Sequence, residues 1–121
     1  EALLRHLAGD RFEAFSAGSE PDRPHEITLA TLSKLGIDTQ GLASKSLGDF
    51  AGEHFDSVIV LCDKAQQACR DWQGSSDEYL YWDIRDPRLI ERWDAYEQAL
   101  AEIRHRLLLW LEIQERDDIE R

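Results

Sequence analysis

Five consecutive apolar residues, Val58 to Cys62, form the stretch around which the rest of the chain is organised. Lacking polar alternation, the run suits a central strand of a parallel sheet covered on both faces. It stops at Asp63, a residue able to cap the helix that Lys64, Ala65, Gln66, Gln67 and Ala68 favour. Both cysteines belong to this unit, Cys62 at the strand end and Cys69 seven residues on. In open α/β sheets ligands sit outside the carboxyl ends of the strands, which is where Cys62 falls.

The flanking pattern predicts alternating helices and strands. Ala2, Leu3, Leu4 and Leu7 form a helical stripe over 1–7, with Gly9 placed to end it and no capping residue ahead of it. Phe12 to Gly18 alternates aromatic, polar and small residues as a short strand. Ser19 to Pro24 is a Pro-rich loop, and Ile27, Ala30, Thr31 and Leu35 trace a helix from His25 to Gly36. Ile37 to Lys45 is connector, followed by a short helix-and-loop segment plugged by Leu47, Phe50 and Phe55. Beyond Cys69, residues 71–77 read as loop with Gly74-Ser75-Ser76 as a flexible tip, and Glu78 to Ile84 as an aromatic-rich strand. Arg85-Asp86-Pro87 is a turn, with Pro87 suited to open a helix running to about Glu115.

That last helix carries Leu89, Trp93, Tyr96, Leu100, Ile103, Leu107 and Trp110 at alternating spacings of four and three, a seam of period 3.5. The seam serves either to pack the helix on the sheet or to form a dimer interface, with Leu108, Leu109 and Leu111 widening the apolar face. Residues 114–121 are a charged tail. The order helix, strand, helix, strand, helix, strand, helix gives one α/β domain over 1–121 with a mostly parallel sheet. Three strands are few for a sheet covered on both faces.

Charge narrows the partners. Fourteen Lys and Arg against 25 Asp and Glu leave a net charge of −11, a surface that repels nucleic acid and anionic membranes. No stretch has the roughly 18 consecutive apolar residues of a membrane span. Two cysteines in 121 residues are too few for a disulfide framework, and no secretory leader precedes the first helix, so a reducing cytoplasm is expected. His6, His25, His54 and His105 show no metal-ligand spacing and no Cys-x2-Cys is present, so neither a metal nor a cofactor is expected.

Taken in order, Glu1-Ala2-Leu3-Leu4, Ser16-Ala17-Gly18, Gly36-Ile37-Asp38, Ser44-Lys45-Ser46-Leu47, Cys62 with Cys69, and Trp82 through Asp86-Pro87 resemble the thioredoxin-coupled arsenate reductases, which share the fold of low-molecular-weight protein tyrosine phosphatases. The resemblance runs from Glu1 to about Leu111 and implies a three-layer α/β/α fold. It also implies that a nucleophilic Cys in a Cys-x5-Arg loop attacks arsenate or phosphate, cradled by N–H groups at a helix N-terminus. A second Cys then attacks the arseno-cysteine adduct, and a third forms a disulfide that thioredoxin or a similar thiol reductant reduces. Cys62 and Cys69 match the second and third by position and spacing. Asp86, before Pro87, matches the general acid of the phosphatases, with Asp83 a weaker candidate.

One departure is large. Six residues after Cys62 stands Ala68 and six after Cys69 stands Ser75, so neither cysteine opens a Cys-x5-Arg loop. In the family that loop lies just ahead of the Glu1-Ala2-Leu3 match, after a central strand. The resemblance therefore implies a first central strand that is missing here. In that case the Phe12 strand pairs directly with the Val58 strand, or a second copy fills the gap in a strand-exchanged homodimer. The chain would then be inactive alone, and a non-catalytic homologue acting as a dimeric binding module is the alternative. For Cys62 and Cys69 the bland reading is one buried thiol and one incidental helical thiol; for Asp86 it is a turn residue or helix cap.

Overall fold

A computed structural model describes residues 1–18, 26–85, 87 and 94–120, the last four in backbone only. Its elements run α1 (Ala2–Ala8), α2 (Glu26–Lys34), a 3-10 turn (Leu47–Phe50), β1 (His54–Val60), α3 (Asp63–Arg70), β2 (Ser75–Tyr81) and α4 (Ala95–Glu120). From β1 onward strands and helices alternate and the two strands run parallel, consistent with an α/β fold. No described helix is long and apolar enough to cross a membrane.

The helix ends follow from local chemistry. No side chain caps α1, and the chain leaves it at Gly9, where a Cβ would stand 2.4 Å from the Arg5 carbonyl oxygen. Only glycine tolerates that approach. At the end of α2, Gly36 takes φ 75, and the Ile37 N–H returns to the Leu32 carbonyl at 2.9 Å. A left-handed glycine closing a helix this way satisfies carbonyls that would otherwise lack donors. Ser46 and Asp49 cap the 3-10 turn reciprocally, each side chain accepting a backbone N–H near the other.

The strands depart from expectation in informative ways. β1 and β2 are parallel, with His54 level with Ser75 and Val60 with Tyr81. β1 therefore begins at His54, four residues before the apolar run, and β2 begins at Ser75, inside the expected loop. Both starts are polar because that end of the sheet is open to solvent, so hydrophobicity does not mark them. Phe12 to Gly18 is not a strand. Its one ladder contact is the bridge of Gly18 to Ser46, where Gly18 donates to Lys45 O at 2.8 Å and accepts from Leu47 at 3.3 Å. Alternation makes a strand only where a neighbouring backbone answers it. Among the described residues β1 has a ladder with β2 alone, so the direct pairing of the Phe12 and Val58 segments does not occur.

The core lies on one face of this small sheet. Leu3, Ala8, Leu32, Ile37, Trp82, Ile84, Leu107, Trp110 and Leu111 are buried together, with Ile59 and Leu80 of the sheet against them. Leu107, Trp110 and Leu111 show that α4 packs inward, while Leu108, Leu109 and Ile113 remain exposed. The amino-terminal part of the seam, Leu89 and Trp93, lies outside the described residues. Burial on both faces of the apolar run is also incomplete. Val60 is buried, but Val58 and Ile59 are half-buried and Leu61 is exposed, because one edge of β1 faces a groove.

Candidate functional site

Cys62 stands at the carboxyl end of β1, where the chain turns into α3. Its backbone is extended, at φ −158 and ψ 165, and it is the residue preceding the helix, without a side-chain capping bond. The Cys62 carbonyl accepts the Gln66 N–H at 3.0 Å. The capping role expected of Asp63 is thus not taken. Asp63 is the first residue of α3, and its carboxylate accepts the Tyr81 hydroxyl at 2.6 Å. That bond, with lesser help from burial and neighbouring negative groups, pushes the Tyr81 phenol up to about 12.

Cys69 lies in the last turn of the same helix. Burial pushes its thiol up, and a hydrogen bond with Tyr79 pulls it partly back. Tyr79 and Tyr81 project from the same face of β2, so α3 is tied to the sheet at both ends through its chemically interesting residues. Both thiols are free. Seven residues of helical rise separate them by about 10.5 Å, beyond the roughly 7 Å that a disulfide tolerates between Cα atoms.

The slack expected at Gly74-Ser75-Ser76 is absent. Ser75 and Ser76 begin β2, and a Cβ on Gly74 would come within 2.0 Å of the Trp72 ring. Any closure of the two sulfurs must come from α3. That helix has no buried residue and no side-chain cap at its start, which makes it the low-stability element at the site. Asp86, the expected general acid, lies outside the described residues. Asp83 lines the groove described next, together with Cys62 and Arg85.

That groove, of about 2440 Å³, runs between Phe12–Gly18 and the edge of β1 that carries no ladder among the described residues, over Leu4, Ile103, Leu107 and Trp110. Aromatic rings bridge its two walls at one end: Phe15 meets Phe55 at 5.7 Å and Phe50 at 5.9 Å between centroids. Its other end opens at Cys62. A second cavity of about 270 Å³, lined by Leu32, Leu61, Ile84, Arg85 and Leu100, also reaches Cys62. Cys62 is therefore the one described residue at which both spaces and the helix start converge with a nucleophile.

The wall made by Phe12–Gly18 is tethered by charge rather than by a ladder. The Glu1 carboxylate accepts from Arg5 at 2.8 Å, Ser16 at 2.6 Å and Lys45 at 3.1 Å, and its side chain is only 5% exposed. Burial alone would raise that carboxyl, but the Ser16 and Lys45 bonds and the positive charges of Lys45 and Arg5 outweigh it and hold it below the usual range.

Sequence reasoning placed the two cysteines but missed Tyr79 and Tyr81, although their spacing of two already put them on one face of a strand.

The sequence is also similar to known proteins. Residues 1–119 match the family described as low molecular weight phosphotyrosine protein phosphatase. A glutaredoxin arsenate reductase of Synechocystis is 26% identical over 87 residues, covering 72% of this chain and 66% of the relative. An arsenate reductase of Bacillus cereus is 25% identical over 115 residues, covering 95% of this chain and 84% of the relative. One from Halalkalibacterium halodurans is 25% identical over 117 residues, covering 93% and 84%.

Proposed function

We propose that this chain, which belongs to the low molecular weight phosphotyrosine protein phosphatase family, carries the thiol relay of an arsenate reductase. The observation that supports it most is the placing of its two cysteines at the two ends of one marginal helix, with Cys62 at a strand end beside an open groove. A phosphatase needs one nucleophile and an acid; a second thiol seven residues away on a helix able to unwind suits reduction.

In this reading the Cys62 thiolate attacks the sulfur of a cysteinyl–arsenic(V) adduct. A sulfur–sulfur bond forms, the sulfur–arsenic bond breaks, and its electron pair leaves with arsenic as arsenite. Cys69 then attacks the Cys62 sulfur, releasing the first thiolate and leaving a Cys62–Cys69 disulfide. A thioredoxin- or glutaredoxin-type dithiol restores both thiols. Asp86 serves as proton donor at the oxyanion. The 121 residues hold no Cys-x5-Arg loop, so the chain on its own supplies the relay without the first nucleophile and does not turn over arsenate or a phosphate ester. A reducing cytoplasm is the fitting compartment, since the cycle starts from free thiols.

The edge of β1 that carries no ladder among the described residues supports a second element of the proposal, a homodimer in which a strand from another copy pairs along the groove. Main-chain groups left without partners in a buried setting cost about 1–3 kcal/mol each, and a strand in the groove would satisfy those of β1. Sedimentation at micromolar concentration tests this directly: a well-folded monomer counts against it.

The relay is tested by mild peroxide oxidation followed by peptide mass mapping. The expected product is an intramolecular Cys62–Cys69 crosslink, two hydrogens lighter, that reduced thioredoxin reopens and that Cys69→Ser abolishes. Persistence of both free thiols, or their independent oxidation to sulfenic acids, rules the relay out.

A further inference from the structure

At the opposite end of β1 from Cys62, the parallel register brings three ligating side chains together. His54 is level with Ser75, and the pairs Phe55–Ser76 and Ser57–Glu78 on either side of the next position set Asp56 level with Asp77. One nitrogen of His54 and one carboxylate oxygen from each aspartate lie within 4.8 Å of one another, and all three residues are exposed. Side-chain exposures of 50% for His54 and 69% for Asp77 leave this end of the sheet face open to solvent, and α3 is bonded to the strands further along, at Tyr79 and Tyr81.

We propose that His54, Asp56 and Asp77 form a binding site for a zinc-class divalent cation. Three features carry it. Two carboxylates directly opposite each other on paired strands repel, in a chain already at −11; a cation between them reverses the sign of that interaction. His54 is held as metal-binding histidines are. Its Nδ1 hydrogen-bonds Ser75 Oγ at 2.7 Å, leaving Nε2 directed at Asp77 Oδ1, 3.0 Å away. An outer partner on one ring nitrogen fixes the orientation of the other.

The spacing also fits. Ligand atoms each about 2.0–2.2 Å from one zinc ion stand roughly 3–3.5 Å apart; the His54–Asp77 pair is at 3.0 Å, and an Asp56 oxygen lies within 4.8 Å of both. An imidazole with two carboxylates selects zinc and its transition-metal neighbours over magnesium or calcium, which prefer oxygen alone. Three protein ligands on an open surface leave positions for water. The site stands apart from the proposed thiol relay and survives its failure. It was invisible to spacing analysis because Asp77 comes from a different strand.

The test is calorimetric titration of the full chain with Zn²⁺ in a Cys62→Ser/Cys69→Ser background, which removes thiols that bind zinc by themselves. One ion per chain is expected, with a dissociation constant in roughly the micromolar range. His54→Ala, Asp56→Asn and Asp77→Asn should each weaken binding by at least about tenfold, Ser75→Ala should weaken it by a similar or smaller factor, and Mg²⁺ should not compete. Zinc should also shift the His54 ring resonances ahead of those of His6, His25 and His105. Zinc affinity unchanged in His54→Ala and Asp77→Asn overturns the proposal, as does binding weaker than about 1 mM.

Discussion

If the Cys62–Cys69 disulfide forms only when α3 unwinds, its rate should report the stability of that helix. Gln67 offers a clean handle: it is exposed, lies in the interior of α3 and, two residues from Cys69 and five from Cys62, is not their neighbour on a helix face. Glycine costs an exposed helix interior about 1 kcal/mol more than alanine. A difference of about 1 kcal/mol in a rapid pre-equilibrium corresponds to roughly a fivefold change in the population of the open form. Gln67→Gly should therefore close the disulfide about five times faster than Gln67→Ala under the same mild oxidant, with the parent between them. Closure should also be visible in far-ultraviolet circular dichroism. α3 contributes eight helical residues beside seven in α1, nine in α2 and 26 in α4, so its unwinding removes about one sixth of their signal. Quenched-flow alkylation with mass detection follows the chemistry and stopped-flow dichroism the helix. Equal rates for the two variants, or a crosslink formed with the helical signal intact, would refute the reasoning.

Three further outcomes follow from other contacts. Trp110 donates its indole N–H to Glu78 at 2.8 Å and packs on Phe12 at 5.1 Å while 6% exposed. Trp110→Phe should cost about 1–2 kcal/mol, since the bond reaches a carboxylate that Ser57 still partly satisfies. Trp110→Ala should cost about 3–5 kcal/mol in urea unfolding. Lys45→Met removes one of three donors from the Glu1 carboxylate and should destabilise by about 1–2 kcal/mol at neutral pH. The lowered Glu1 carboxyl contributes stability above the ordinary Glu range, lost as pH falls through its folded value. The gap between parent and variant should therefore shrink in acid. In a Cys62→Ser background, alkylation of Cys69 should need a higher pH than a free thiol, about 8.5, and return to the ordinary value in urea. Because the folded thiol is the raised one, its contribution to stability is full below that ordinary value and disappears as pH rises through the folded value. Alkylation in the folded protein at the ordinary thiol pH contradicts the half-buried, Tyr79-bonded placement.

What the sequence made legible was the local chemistry. The unbroken run at Val58, the helix formers after Asp63 and the seven-residue cysteine spacing located the strand, the helix and the thiols. Four things were out of reach, each because it depends on a neighbour in space. The alternation of Phe12 to Gly18 is a strand pattern, but with no ladder along it the segment stays irregular, held by Glu1 through Ser16. The polar openings of β1 and β2 are set by the register of His54 with Ser75, not by burial. Gly74 reads as slack and proves to be packing, its missing Cβ making room for the Trp72 ring. Asp56 and Asp77 are unremarkable in sequence and become a pair only across the sheet. The same distinction bears on the thiols. Spacing alone puts Cys62 and Cys69 in one motif, while the helix that the residues between them favour, present as α3, separates them. The two sulfurs are close in the chain and held apart in the fold, so whatever redox work they do together must be done at the expense of α3.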